Sequence, residues 1–168
     1  PGRTPWTWLE SVPQRRFYTR ACRLLAITGF TRQLLVDKGV DPEKVQVVYM
    51  GVEVPQGMEE TLRRAPERHP EWLGRPLLLT VGRLVPQKGH RLLLQAMRQV
   101  ADRVPQVLHL IVGDGPERPA LARQIEGLGL GDNVLLLGRV SEETLRDCYA
   151  LAWAFALTSH EVKSYVEG

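Results

Sequence analysis

Arg83 and Lys88 share one short stretch, Gly82-Arg83-Leu84-Val85-Pro86-Gln87-Lys88-Gly89, set between an apolar run and an amphipathic one. Arg offers a planar fork of donors and Lys a compact charge, and both suit phosphate oxygens. Gly82 lets a ligand approach the backbone closely. The N-terminus of the helix expected next adds its dipole and free N–H groups. Such a loop can grip a diphosphate; a surface loop with two solvated cations is the plain alternative. The stretch lacks the GxxxxGK[ST] pattern, so it is not a Walker-type phosphate loop.

Three further loops carry chemistry-bearing residues. Gly113-Asp114-Gly115-Pro116 opens like a GxGxxG fingerprint, but Arg118 occupies the third glycine position, and a simple turn explains it equally well. Gly138-Arg139-Val140 offers backbone groups to a base. Thr158 to Gly168 holds His160, Glu161 and Glu167, which read by themselves as solvated loop residues. No Ser/His/Asp arrangement and no metal-ligand cluster is apparent. Cys22 and Cys148 lie far apart without CxxC spacing, which fits two small buried apolar side chains in a reducing cytoplasm.

These loops need strands and helices to aim them, and the sequence supplies both in alternation. Glu10–Cys22 reads as a helix, Arg23–Thr28 as a short buried strand, Thr31–Lys38 as a helix stopped by Gly39, and Val45–Tyr49 as a strand. Residues 51–75, with Pro55, Gly57, Pro66, Pro70 and Gly74, read as a connector with one short helix. Beyond it come strand Leu77–Val81, a helix over Gly89–Val104 with Leu92, Leu93, Ala96, Met97 and Val100 on its apolar face, and strand Val107–Val112. Helix Arg118–Leu128, strand Asn133–Leu137, a helix from Ser141 to Ala150 and a buried strand Leu151–Leu157 complete the series. The fold class is therefore α/β, a Rossmann-like parallel sheet with helices on both faces. Residues 1–54 form the end of one domain, 55–75 a hinge, and 76–168 part of a second domain. Ligands of such sheets sit at the carboxyl ends of the strands, where all four loops fall.

Composition sets the outer bounds. Of 168 residues, 43% are hydrophobic and 24% charged, and the net charge is +3. That balance permits anionic ligands but gives no clustered basic face for nucleic acid. No apolar run approaches the ~20 residues of a membrane span. The basic, Trp-bearing start (Trp6, Trp8, Arg15, Arg16, Arg20) admits a peripheral contact with an anionic membrane surface beside the reading as an amphipathic core helix. The chain begins at Pro1 without Met and ends after a strand-like stretch, which is read as a fragment.

The loops, taken in order, resemble glycosyltransferase family 4 of the GT-B fold. Leu77 to Gly89 is similar to that family's strand-GR-x3-4-KG signature, Leu110 to Pro116 to its strand-GDGP turn, and Asn133 to Val140 to its NV-x-FLG-x-V segment. Ala26 to Thr28 and Val45 to Val52 resemble the end of its N-terminal domain, with Met50 where the family has Asn. The resemblance implies two Rossmann-like domains, the second of which, partial here, binds a UDP- or GDP-sugar. Arg83 and Lys88 match the pair that holds the donor diphosphate. Gly82, Gly113 and Gly115 match the phosphate-side turns, and Gly138, Arg139 and Val140 the nucleobase contact. Glu167 matches the first carboxylate of the E-x7-E motif, the second falling beyond Gly168. The implied activity is retaining hexosyl transfer to a glycan or lipid-linked acceptor, with no cofactor and no required metal, in a cytoplasmic protein that could sit at the inner face of the membrane. Two rivals stand beside it. One is a non-catalytic nucleotide- or anion-binding module. The other is a nicotinamide-dependent Rossmann enzyme, which the incomplete GxGxxG disfavours.

Overall fold

The computed structural model describes Tyr18, residues 20–51 and residues 56–160. Trp6, Trp8, Arg15, Arg16, Glu161, Glu167 and most of the helix expected over Glu10–Cys22 lie outside the described residues. The chain divides into two compact units, Pro1–Val54 and Pro55–Gly168.

In the first unit, β1 (Leu24–Ala26) and β2 (Val45–Val47) pair in parallel, Leu24 opposite Val45, and α1 (Gly29–Asp37) connects them. Thr28 is the N-cap of α1, its hydroxyl accepting from the Thr31 amide at 3.0 Å. The strand expected over Arg23–Thr28 therefore ends earlier, because Thr28 satisfies the helix instead. Gly39 takes the left-handed conformation (φ 86) just past the helix end, as its position predicts. Ala26, Val40 and Val45 form a small core. Tyr18 and Arg20 are helical, but Ala21 and Cys22 are not. Cys22 is exposed, contrary to the expectation of a buried thiol.

The second unit is a four-stranded parallel sheet of order β5-β4-β3-β6, built from β3 (Leu77–Val81), β4 (Leu108–Val112), β5 (Val134–Gly138) and β6 (Ala154–Phe155). One face packs Leu84, Ile111 and Val134 against Leu94, Met97 and Ala101 of α3 (His90–Arg103) and Leu121 and Ile125 of α4 (Arg118–Gly127). The other packs Leu77, Leu79, Leu108 and Leu110 against Cys148 of α5 (Glu142–Leu151) and Trp72. All five residues of β4 are buried, which is why its sequence runs apolar without alternation. Ser141 caps α5, accepting from the Thr144 amide at 3.1 Å. Burial pushes the Cys148 thiol up to about 11.

Three expectations need correction. The connector contains α2 (Met58–Arg68), an 11-residue helix packed on α5 and followed by a 3-10 turn at Pro70–Trp72. One short helix was expected there; its polar surface hides its length and its packing from hydrophobic periodicity. What holds it is Arg68, whose Nε donates to the buried Asp147 carboxylate at 2.7 Å, and His69, which stacks on Trp72 at 3.9 Å. Second, the buried stripe of α3 is His90, Leu93, Leu94, Met97 and Ala101. Leu92 and Val100 are 58% and 41% exposed, because the sheet meets the neighbouring stripe of equal helical spacing. Third, β6 is two residues long and exposed, with Phe155 at 50%, since it forms the outer strand on its side of the described sheet.

A buried relay crosses the sheet. The Thr80 hydroxyl donates to the Ala156 carbonyl at 2.8 Å and so accepts from His109 Nε2, also at 2.8 Å. Burial, with His90 as a lesser electrostatic cause, pushes the His109 imidazole down to about 4 from 6.5. The unfolded chain therefore takes up this proton at a higher pH than the folded one. Stability from His109 is full above pH 6.5 and falls as pH drops toward 4, by about 3 kcal/mol in all. Urea unfolding across that window should show the loss, and His109→Gln, which keeps the Nε2 donor, should flatten it.

Candidate functional site

The strand order places a switch point beside β3. From β3 the chain steps outward to β4 and β5 with α3 and α4 on one face, then returns over the other face through α5 to β6 on the far side of β3. Ligands of parallel sheets sit at the carboxyl ends of the strands beside such a point. The Gly82–Gly89 loop and the segment after Phe155 emerge there.

Three strand ends are lined by glycines in contact. The Gly82 amide donates to the Val112 carbonyl at 3.0 Å, and the Gly113 amide donates to the Gly138 carbonyl at 2.7 Å. A Cβ on Gly113 (φ 132) would stand 1.9 Å from the Gly82 carbonyl oxygen, and one on Gly115 would stand 2.4 Å from that of Leu84. No side chain fits either gap, so the loops close to backbone–backbone distance. At Gly82 itself there is room, the nearest atom being Leu157 Cδ1 at 3.9 Å.

The cation-bearing loop is pinned along its length. Leu84 is fully buried, its amide donates to the Asp114 carbonyl and its carbonyl accepts from the Glu117 amide, both at 3.0 Å. Residues Pro86–Lys88 form a 3-10 turn ending at Gly89 (φ 67). On the other side, the Thr158 hydroxyl donates to the Gly89 carbonyl and the His160 amide to the Gln87 carbonyl, both at 3.0 Å. Arg83 is exposed and Lys88 half-buried. Among the described residues neither side chain has a hydrogen bond or ion pair, so both charges are available to a ligand. The N-terminus of α3 lacks a side-chain cap and an acidic residue in its first turn, which leaves its dipole facing the same loop.

Arg139 is exposed and Val140 half-buried against the α5 side of the core, directly after Gly138 (φ 72). Asp114 folds back to accept from the Gly115 amide at 2.8 Å. The structure thus brings Gly82, Arg83, Lys88, Gly113, Gly115 and Gly138 to Val140 to the carboxyl edge of one sheet. Glu167 lies outside the described residues. No cluster of metal-ligating groups occurs among the described residues, and none of their helices is long and apolar enough to cross a membrane.

Sequence reasoning passed over His90, Thr158 and Arg118. His90 is fully buried with Nε2 3.0 Å from the Arg83 carbonyl. Its signal was a polar residue one turn ahead of Leu93 and Leu94, on the buried stripe. Arg118 runs beneath Gly138, Nη2 donating to the Leu136 carbonyl at 3.0 Å. Nothing local marks Thr158, whose partners lie far away in sequence.

Several proteins are similar to this chain in sequence or in fold. A GDP-mannose-dependent alpha-(1-6)-phosphatidylinositol monomannoside mannosyltransferase of Mycolicibacterium smegmatis is 33% identical over 108 residues, 64% of this chain and 28% of that protein. The alpha-D-kanosaminyltransferase of Streptomyces kanamyceticus is 30% identical over 149 residues, 87% of this chain and 39% of that protein. In fold, the chain is similar to Anabaena HepE, a structure in complex with UDP and glucose. There the TM-score is 0.71 at 23% identity, covering 86% of this chain and 40% of HepE. The chain spans less than half the length of these relatives.

The glycine contacts make a sharp prediction. Gly113→Ala should destabilise the second unit by about 3 kcal/mol or more, since both the backbone conformation and the Gly82 carbonyl oppose it. Gly131→Ala, where a Cβ meets nothing within 4 Å, should stay within about 0.5 kcal/mol by urea unfolding. The pinned loops fall within residues 63–168, which match the family model described as "Glycosyl transferases group 1", and the chain belongs to that family.

Proposed function

We propose that the protein of which this chain is part transfers a hexose, with retention, from a UDP- or GDP-sugar to a glycan or lipid-linked acceptor. One observation carries the reading. Two cations without protein partners among the described residues stand on one loop at the sheet's switch point, and that loop's backbone is fixed by the neighbouring loops. A rigid pair of charges of this kind suits a diphosphate, whose charge grows as the glycosidic bond breaks. Arg83 and Lys88 stabilise that leaving group most in the transition state, because they need no reorganisation to meet it. The backbone at Gly138 to Val140 contacts the nucleobase, and Glu167 contacts the transferred sugar. Gly82, open on its ligand side, lets the phosphates come close.

No metal is required in this scheme, because the two side chains supply the positive charge. The choice between UDP and GDP stays open: one relative is named for GDP-mannose, and the similar HepE structure holds UDP. Peripheral membrane contact through the basic N-terminal stretch belongs to the same proposal, as a lipid-linked acceptor would demand.

Steady-state kinetics of the full-length protein tests the reading. Arg83→Ala and Lys88→Ala should each lower turnover by roughly 30- to 1000-fold, a loss of ~2–4 kcal/mol of transition-state stabilisation, and EDTA should leave wild-type turnover unchanged. Near-normal turnover in both variants would sink the assignment. Wild-type protein that binds the nucleotide through these residues but transfers no sugar would instead identify a binding module.

A further inference from the structure

His90 and Thr158 grip the cation-bearing loop from behind, by its carbonyl groups. A carbonyl only accepts, so His90 Nε2 carries the proton and donates to Arg83 at 3.0 Å. The other ring nitrogen, Nδ1, is then a bare acceptor, buried and without a partner among the described residues. An apolar side chain would fill this place on the Leu93–Leu94–Met97 stripe without leaving a polar atom unsatisfied. Packing therefore does not account for the imidazole, whereas its bond to Arg83 does. At the other end of the loop, the Thr158 hydroxyl donates to the Gly89 carbonyl at 3.0 Å with the Lys88 carbonyl at 3.4 Å. Gly89 closes on it so tightly that a Cβ there would stand 2.1 Å from the Thr158 carbonyl oxygen.

We propose that His90 and Thr158 are positioning residues for the donor diphosphate. His90 ties the carbonyl of Arg83, and Thr158 the carbonyl of Gly89, one residue past Lys88. These side chains, which bond only to the protein's own backbone, thus set the separation of the two charges together with the main-chain bonds at Leu84, Val85 and Gln87. This inference rests on the reading of Arg83 and Lys88 as the diphosphate grip.

Titration calorimetry on the full-length protein tests it, with UDP and GDP as probes and uridine and guanosine as ligands that lack phosphates. His90→Leu should weaken the preferred diphosphate about tenfold and leave its nucleoside within twofold. His90→Gln, whose amide nitrogen replaces Nε2, should restore diphosphate binding. Thr158→Val and Thr158→Ser should behave as the same kind of pair, and they carry the comparison if His90→Leu does not fold. The inference is overturned if the apolar variants bind the diphosphate normally while Arg83→Ala and Lys88→Ala do not. Equal losses for diphosphate and nucleoside, which a merely structural role would give, overturn it too. Should Arg83→Ala and Lys88→Ala themselves retain full diphosphate affinity, the reading beneath it fails instead.

Discussion

The backbones leaving β3 and β4 approach one another more closely than any side chain would allow, and the site follows from that approach. With Gly113 against the Gly82 carbonyl and Gly115 against that of Leu84, the loops after β3 and β4 bond to each other through main-chain groups. Several of their amides and carbonyls are used in this way, and the side chains of Arg83 and Lys88 are left without protein partners among the described residues. Glycine here is a requirement of distance as well as of dihedral angle. A preorganised charge pair depends on such a support, because a mobile loop would have to be ordered when the ligand binds.

Other cations of the second unit are paired with buried carboxylates. Arg68 is neutralised by the buried Asp147, whose carboxyl it holds below the ordinary carboxylate range chiefly by hydrogen bonding. Arg91 is matched by the buried Glu117 at 2.7 Å. These pairs join elements distant in sequence and fix α2 on α5 and α3 beside the start of α4. A buried carboxylate stripped of its Arg would be costly, so such cations are held by the fold. Arg83 and Lys88 have no such partner among the described residues. Arg103, Arg123 and Arg139 are likewise unpaired among the described residues, so what distinguishes Arg83 and Lys88 is that they share one loop whose backbone is fixed.

Two buried histidines lie on the face of the sheet covered by α3. His109 joins β4 to β3 and, through Thr80, to the Ala156 carbonyl just past β6. His90 joins the first turn of α3 to the loop that precedes it. His90 reaches the loop after β3 and His109, through Thr80, the segment after β6, so both are held by side-chain groups as well as by the strands. The tautomers follow from the partners, since each Nε2 must donate.

The alternation of β-branched and apolar runs with amphipathic stretches was enough to give a parallel α/β fold, because those patterns are local. Strand Leu77–Val81, the Ser141 cap and the left-handed Gly39 were legible from their own residues. So were the loops carrying Arg83, Lys88, Gly113 and Gly138, since a loop between a strand and a helix of a parallel sheet has only one end at which to emerge. Tertiary structure alone decided which stripe of α3 meets the sheet, that β6 pairs with β3 at an exposed edge, and that the helix of the connector runs 11 residues and packs on α5. It also decided that His90 and Thr158 bond to the loop. Each of these depends on partners brought close by folding, as Arg68 is to Asp147 or Thr158 to Gly89, and a chain read residue by residue carries no local trace of an energy that exists only once distant segments touch.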